Sequence, residues 1–585
     1  MPQKLTGLTL IVALTFFLGV EMTLHAQSAS DSNVTALIQQ MSLEEKVGQV
    51  LMARVLEDPD GMPSDETERL IKECYIGSVI FYSTSDPAFT ARYTNQLQEW
   101  AAQTRLGIPL LVGADFEFGP RMIVANGVTG FPQEMGIGAT ETPQMAALAA
   151  KITAQEARAM GVQWVFAPVA DINTNPKNPV IGVRSFGSDS NAVSQMVIAA
   201  VKAYKDNGVI GTVKHFPGHG DTALDSHYSL PSVNCSPEEL NKHLQPFKAA
   251  ITAGADSIMT AHIIVKALDP DHPATLSKAI LTGLLRKKLG FHGLIVTDAM
   301  NMKAISDHFG AGEAAVMAIQ AGADVVMSAG SYWDLIAMQS ALLQAIKDGE
   351  ISESRIDSSV ERVLKLKFHY GLFKNDARYV DPDKTADLCG TQEHPQAALD
   401  MARRSITLLK NDNGWLPLSS NLKKVLVVGV RDTVYAVADE IQRRFPKMRV
   451  ESYRTSHARS SNNWTPSASN IAMAASMAKE ADAVIALTYS SQEVSDGQVE
   501  LIKTLNNLNK PLVVVAQGLP YDIMKFSDIS TYLVNYAYNR WGAPSPAHDA
   551  VTQATVDALF GETRPTGKLP IEIPGLFPRG YGISY

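Results

Sequence analysis

Val209-Ile210-Gly211-Thr212-Val213-Lys214-His215-Phe216-Pro217-Gly218-His219-Gly220-Asp221-Thr222, followed by Asp225-Ser226-His227, is the stretch whose reading decides the fold. Its first five residues are short and largely β-branched, as a buried strand requires. From Lys214 to His227 the character changes: three histidines, two aspartates, one lysine and two glycines fall within 14 residues. A packed core has little use for such a run, because each buried polar group must find a partner. Charged chemistry at the end of a buried strand is where α/β enzymes display their reactive groups.

The same alternation extends on both sides. Apolar, strand-like segments recur at 77–82, 109–114, 165–170, 257–262, 293–298 and 325–328, with helical stretches between them such as 141–160 and 335–347. Repeated β-then-α units of this length predict a (β/α)8-type, TIM-like barrel over residues 33–375. Seven strands are read and the eighth is not, so an open doubly wound sheet fits the same alternation. Polar residues sit at the strand ends: Asp115, Asp171, Lys214 with His215, His262, Asp298 and Ser328. In a barrel those ends share one mouth. Each could instead cap the following helix; that reading suits Asp171, but Lys214, His215 and His262 are poor caps.

A polar segment, 376–395, reads as a linker. Beyond it, strands at 425–430, 483–487, 512–516 and 532–536 alternate with helices and predict a smaller α/β sandwich with a parallel sheet over 396–585. Gly429 follows a strand, but no G-x-G-x-x-G occurs there, so a dinucleotide fold is not indicated.

The chain has 585 residues, 45% of them hydrophobic and 19% charged, a globular composition with length enough for large cores. Its net charge of −9 argues against nucleic-acid binding. Lys4, the mostly apolar run from Leu8 to Val20 and Leu24-His25-Ala26 predict an export signal over residues 1–26, with the periplasm or the extracellular space as destination. A membrane anchor is the alternative, but spanning takes about 20 apolar residues. Cys74, Cys235 and Cys389 are far apart and odd in number, so neither a disulfide scaffold nor a zinc site is read. No cofactor is expected.

Candidate chemistry sits at the strand ends. Asp298 closes the apolar run Leu294-Ile295-Val296-Thr297 and can attack an electrophilic carbon, steady positive charge, or simply cap the helix that follows. Asp225 can orient the imidazole of His227 and hold its proton, forming a pair that moves protons near neutral pH; a solvated loop with local turns is the plain alternative. His215 and His219 are four apart, but Pro217 and Gly218 disfavour the helix on which that spacing would bind a metal. Arg184 can fork onto hydroxyls or a carboxylate, or form a surface ion pair. Asp115, in Gly113-Ala114-Asp115-Phe116-Glu117-Phe118-Gly119, can accept two hydroxyls at once when ionised, or serve as a turn residue.

Taken together, these motifs resemble glycoside hydrolase family 3, in particular its bacterial β-N-acetylhexosaminidase branch. The matching segments are 214–227, Met259-Thr260-Ala261-His262, Pro273-Ala274-Thr275-Leu276-Ser277, 293–302, Arg404-Ser405-Ile406-Thr407-Leu408-Leu409-Lys410-Asn411 and Pro565-Thr566-Gly567-Lys568-Leu569-Pro570. The resemblance implies a retaining mechanism, with Asp298 as nucleophile, His227 as an unusual acid/base and Asp225 as its partner; the usual scheme uses two carboxylates. It also implies that Asp115, Arg184, Lys214 and His215 bind the sugar to be cleaved. The family's arginine eight residues after the aspartate matching Asp115 is replaced here by Ile123, with Arg121 nearby.

The expected function is therefore an exo-acting β-N-acetylglucosaminidase that removes terminal N-acetylglucosamine from peptidoglycan fragments or chitooligosaccharides. Three alternatives stand beside it. One is a family β-glucosidase, whose acid/base glutamate would come from the second domain, with Glu493 and Glu500 as candidates. Another is a phosphorylase, since an imidazole acid/base does not repel incoming phosphate. The third is a non-catalytic sugar-binding protein.

Overall fold

The computed structural model describes residues 31–456, 464–490, 493–537 and 550–585. The expected signal segment, residues 1–26, lies outside them. Eight strands form the first sheet: β1 (Leu51–Arg54), β2 (Ser78–Ile80), β3 (Leu111–Ala114), β4 (Trp164–Val165), β5 (Ile210–Phe216), β6 (Ser257–Thr260), β7 (Leu294–Val296) and β8 (Val326–Ser328). Their order is β8-β1-β2-β3-β4-β5-β6-β7, with every neighbouring pair parallel. A parallel bridge between Val296 and Val325 joins the two ends of this row and closes the barrel. That bridge decides against the open doubly wound sheet. The strand missing from the sequence reading is β1. Only Val50 separates it from the helix Leu43–Gln49, so the two apolar runs merge.

The helices start where local chemistry favours it. Ser42 with Glu45, Ser236 with Glu239 and Ser331 with Asp334 form capping boxes, and Asp86 and Asp189 cap two further helices. Before β5, Gly208 (φ +74°) takes the left-handed conformation that ends the helix Ser190–Asp206 and turns the chain into the strand.

Side chains two apart along a strand share a face. Met52, Ile80, Leu111, Trp164, Phe166, Ile210, Met259, Leu294, Val296, Val325 and Met327 fill the barrel's interior, while the alternate residues pack outward under the helices. Extending that parity past the last interior residues carries Arg54, Tyr82, Asp115, Lys214 and Asp298 to the inside of the mouth.

The second domain holds β9 (Thr407–Asn411), β10 (Lys424–Gly429), β11 (Arg449–Arg454), β12 (Ala483–Thr488), β13 (Leu512–Ala516) and β14 (Thr531–Val534) in the order β9-β14-β13-β12-β10-β11. The four strands read in the sequence, β10, β12, β13 and β14, run parallel as expected, and β9, which was not read there, runs antiparallel to β14. Two apolar layers cover its faces, which makes a sandwich. One layer takes in Met135, Ala139 and Val183 from the barrel. Lys568 N donates to the Ala139 carbonyl at 2.8 Å, and Ser188 N donates to the Pro570 carbonyl at 3.1 Å. The segment between the domains is anchored as well: Gly390 N and His394 Nδ1 both reach buried Glu156 Oε1, at 2.9 and 2.8 Å. Among the described residues no helix is long and apolar enough to cross a membrane.

Candidate active site

The mouth is built from the ends of β3 to β7 and the loops that follow. The β5–β6 ladder shifts register between Val213 and Phe216, so consecutive Lys214 and His215 are both buried and both bonded within the mouth. Lys214 Nζ lies 2.7 Å from Asp115 Oδ1 and 2.7 Å from Glu117 Oε1. Arg184 forks onto the same Glu117 carboxylate, with Nε at 2.9 Å and Nη2 at 2.7 Å. Paired charges of this kind survive burial only with such bonds. Burial opposes the charge on Glu117, but the two cations outweigh it and hold its carboxyl well below the usual range. Burial likewise opposes the charges on Lys214 and Arg184, yet their carboxylate partners raise both pKa values.

Asp171, fully buried, accepts three hydrogen bonds: from His215 N (3.2 Å), His215 Nδ1 (2.7 Å) and His219 N (2.6 Å). A carboxylate that only accepts fixes the proton on Nδ1, so His215 presents its Nε2 lone pair to Arg184 Nη2, 3.4 Å away. Burial raises the Asp171 carboxyl, but the two histidines bring it below its ordinary value. Asp171 is thus a long-range anchor and not the helix cap that its place in the sequence suited.

The loop after β5 folds back over this anchor. A Cβ on Gly220 would lie 1.8 Å from the Ile172 carbonyl oxygen, so only glycine permits the approach. His219 bridges Thr222 Oγ1 (2.8 Å) and Ser226 Oγ (3.0 Å), and burial pulls its pKa down to about 4, leaving it neutral. This rivets the stretch that carries Asp225 and His227. Asp225 Oδ1 accepts from His227 N at 3.0 Å and from Nδ1 at 2.7 Å. The Nδ1 proton is thereby held, and Nε2 is left as the exchangeable position. Asp225 is 8% exposed and His227 31%.

Asp298 lies two residues beyond interior Val296, and its Oδ1 accepts from Ala299 N at 2.7 Å. Ala304 N, just beyond it, donates to the Ser226 carbonyl at 3.3 Å, which ties the His227 loop to the Asp298 segment. Burial works to raise the Asp298 carboxyl; His262, His215 and His227 lie close enough to bring it below its ordinary value. His262, fully buried, donates Nε2–H to the Ala299 carbonyl at 3.1 Å and takes the Thr275 hydroxyl on Nδ1 at 2.8 Å. Burial lowers its pKa, and its two bonds brace this turn.

The structure thus gathers Asp115, Arg184, Lys214, His215, Asp225, His227 and Asp298 at one mouth. It adds Glu117 as the charge hub, Asp171 and His262 as supports, and buried Glu134. Burial and the Glu117 charge raise the Glu134 carboxyl well above its usual range, and it accepts from Val169 N at 3.1 Å. Only the chain spacing of Glu117 from Asp115 hinted at the hub. Arg121 lies half-buried in the one-turn helix Pro120–Met122. Exposed Glu493 pairs with Lys525 of its own domain, and exposed Glu500 faces Thr504 Oγ1 at 3.5 Å. Among the described residues no group of His, Cys, Asp and Glu is arranged to hold a metal ion. A mouth with the Asp298 carboxylate, an imidazole held by a second carboxylate and a cluster of charged hydrogen-bonding groups can cleave a bond between carbon and a protonatable leaving atom.

Known proteins resemble the whole chain. Residues 42–366 match the pattern described as "Glycosyl hydrolase family 3 N terminal domain", and residues 406–576 match "Glycosyl hydrolase family 3 C-terminal domain". The chain is similar to "Beta-hexosaminidase A" of Pseudoalteromonas piscicida, at 30% identity over 87% of this chain and 91% of that one. It is similar to "Beta-N-acetylglucosaminidase/beta-glucosidase" of Cellulomonas fimi, at 30% identity over 71% of this chain and 73% of that one. A solved structure of a glycoside hydrolase family 3 β-N-acetylglucosaminidase from Paenibacillus sp. str. FPU-7 superposes with a TM-score of 0.82 at 34% identity, over 91% of this chain and 99% of that one.

Proposed function

The chain belongs to glycosyl hydrolase family 3, and from that premise we propose that it is an exo-acting, retaining β-N-acetylglucosaminidase acting on terminal N-acetylglucosamine of peptidoglycan fragments or chitooligosaccharides. In this reading Asp298 attacks the anomeric carbon, its Oδ1 steadied by Ala299 N. His227 gives its Nε2 proton to the departing glycosidic oxygen as the C–O bond breaks. A covalent glycosyl-enzyme results. His227 then takes a proton from water, whose oxygen attacks the same carbon and releases the Asp298 carboxylate. Two inversions leave the configuration retained. Asp115, Lys214, Arg184 and His215 hold the sugar's hydroxyls.

The observation that carries the proposal is the Asp225–His227 pair, 2.7 Å apart on a loop bonded to the Asp298 segment. It supplies the proton donor from the barrel itself, whereas a family β-glucosidase would draw a glutamate from the second domain, where Glu493 is already committed to Lys525. The test compares hydrolysis of para-nitrophenyl N-acetyl-β-glucosaminide and para-nitrophenyl β-glucoside, with product stereochemistry followed by NMR. Dominant glucoside turnover overturns the substrate assignment, and an inverted first-formed product overturns the mechanism. The same imidazole favours one second reading, phosphorolysis: it lacks the negative charge that would repel phosphate. Sugar 1-phosphate as the main product in phosphate buffer would establish it. We also propose export, on the apolar segment Leu8 to Val20; N-terminal sequencing of the mature protein that begins at Met1 refutes this.

A further inference from the structure

The roles above draw on the ends of β3 to β7 and leave those of β1 and β2 unused. Arg54 pairs in register with Ile80, and Ile80 pairs with Gly113. Met52 and Ile80 point into the barrel's interior, so Arg54 and Tyr82, each two residues further on, point the same way at the mouth. The Tyr82 ring rests on that interior cluster, and the Arg54 guanidinium covers it at 5.6 Å from the ring centroid. Burial raises the Tyr82 phenol, and the carboxylates of Asp115 and Asp298 add to it, so the hydroxyl keeps its proton and can donate it. Among the described residues no group is hydrogen-bonded to that hydroxyl, and it is not sealed from solvent.

Position in the ring of strands gives this donor a task. Asp298 on β7 stands across the barrel from Asp115 on β3, and Lys214 on β5 stands across from Arg54 on β1. A pyranose with its anomeric carbon at Asp298 and its far end at Asp115 has one long edge against Lys214 and His215. Its other edge faces β1 and β2. We propose that Tyr82, its ring braced by Arg54, is a substrate-contacting residue whose hydroxyl donates a hydrogen bond to a substituent on the sugar edge opposite Lys214 and His215. That substituent is either the 2-acetamido carbonyl or the 6-hydroxyl, because one or the other projects from each long edge. The inference rests on the assignment of Asp298 and Asp115 to the two ends of the bound sugar.

The test is Tyr82→Phe, which keeps the ring and removes only the donor. kcat/KM is measured on para-nitrophenyl N-acetyl-β-glucosaminide, on its 6-deoxy analogue and on its 2-deoxy analogue lacking the acetamido group, beside the unaltered protein. The variant is expected to lose roughly tenfold on the parent compound, the size of one neutral hydrogen bond. On one of the two analogues, the one lacking the partner, the loss should shrink below about twofold. The far-ultraviolet circular dichroism and melting midpoint should stay unchanged. An unaltered parent rate, or an equal loss on all three compounds, overturns the contact. If the unaltered protein proves to prefer para-nitrophenyl β-glucoside, the N-acetylglucosaminidase reading falls. The Tyr82 contrast is then read on that glucoside and its 2-deoxy and 6-deoxy analogues, where the same two results overturn it.

Discussion

Replacing Asp225 by alanine tests the proposed proton transfer where the geometry is tightest. In the folded protein Oδ1 of Asp225 takes both the backbone N–H of His227 and its Nδ1–H, at 3.0 and 2.7 Å. A hydrogen bond to a charged group contributes about 1.5–3 kcal/mol. At about 1.36 kcal/mol per factor of ten, that corresponds to ~10- to 150-fold in rate if the bond matters fully in the transition state. His227 keeps 31% of its side-chain surface in solvent, so water recovers part of the loss. The expectation therefore settles near ~30-fold. The loss should fall on the step in which the imidazole gives its proton, and so depend on the leaving group. The assay is kcat/KM across aryl N-acetyl-β-glucosaminides of graded phenol acidity, together with an N-acetylglucosamine disaccharide. The disaccharide should lose ~30-fold and the dinitrophenyl compound under about threefold, which steepens the leaving-group dependence. A loss of the same factor on every leaving group would refute the reasoning, because a displaced loop lowers all rates alike.

Further outcomes are expected at other residues. Asp298→Ala should lower turnover by several orders of magnitude while the melting midpoint holds, measured by single-turnover kinetics and calorimetry; retained turnover would exclude the nucleophile role. Glu117→Gln removes the anion shared by two buried cations and should destabilise the fold by roughly 3 kcal/mol. Urea unfolding checks this, and a change below about 0.5 kcal/mol would show that the hub is dispensable. In the second domain, burial lifts the Asp522 carboxyl to about 6 against the hydroxyl donors Thr488 and Tyr532. A carboxyl raised in the fold binds more protons there than in the unfolded chain, so stability falls as pH rises from about 4 to 6 and is level above. The size is on the order of 3 kcal/mol. Asp522→Asn should flatten that slope and raise stability at pH 7.5, and an undiminished slope from pH 4 to 6 in unfolding experiments would assign it to other groups.

The barrel was legible because its strands are short apolar runs that each end in a polar residue, a pattern that survives in one dimension. β1 escaped because one residue separates it from a helix. β11 escaped because it is a half-exposed edge whose residues, Arg449 to Arg454, lack an apolar run. In the site, Asp298 and the Asp225–His227 pair could be located because strand end and local spacing mark them. Asp171 was placed at a strand end and Glu117 beside Asp115, but the partners of neither could be read. The partners of Asp171 lie 44 and 48 residues away and those of Glu117 67 and 97, distances the fold closes and no window of sequence reveals.

The contact between the second domain and the turn beneath Arg184 reaches beyond structural support. Val183 lies in the second domain's apolar layer, Gly182 faces Leu519, and Pro570 holds Ser188. The corner that aims this guanidinium is therefore shaped by polypeptide that carries none of the proposed chemistry. A recombination event that exchanged only that domain between relatives would retune the proposed grip on the sugar while leaving every residue assigned to that grip unchanged.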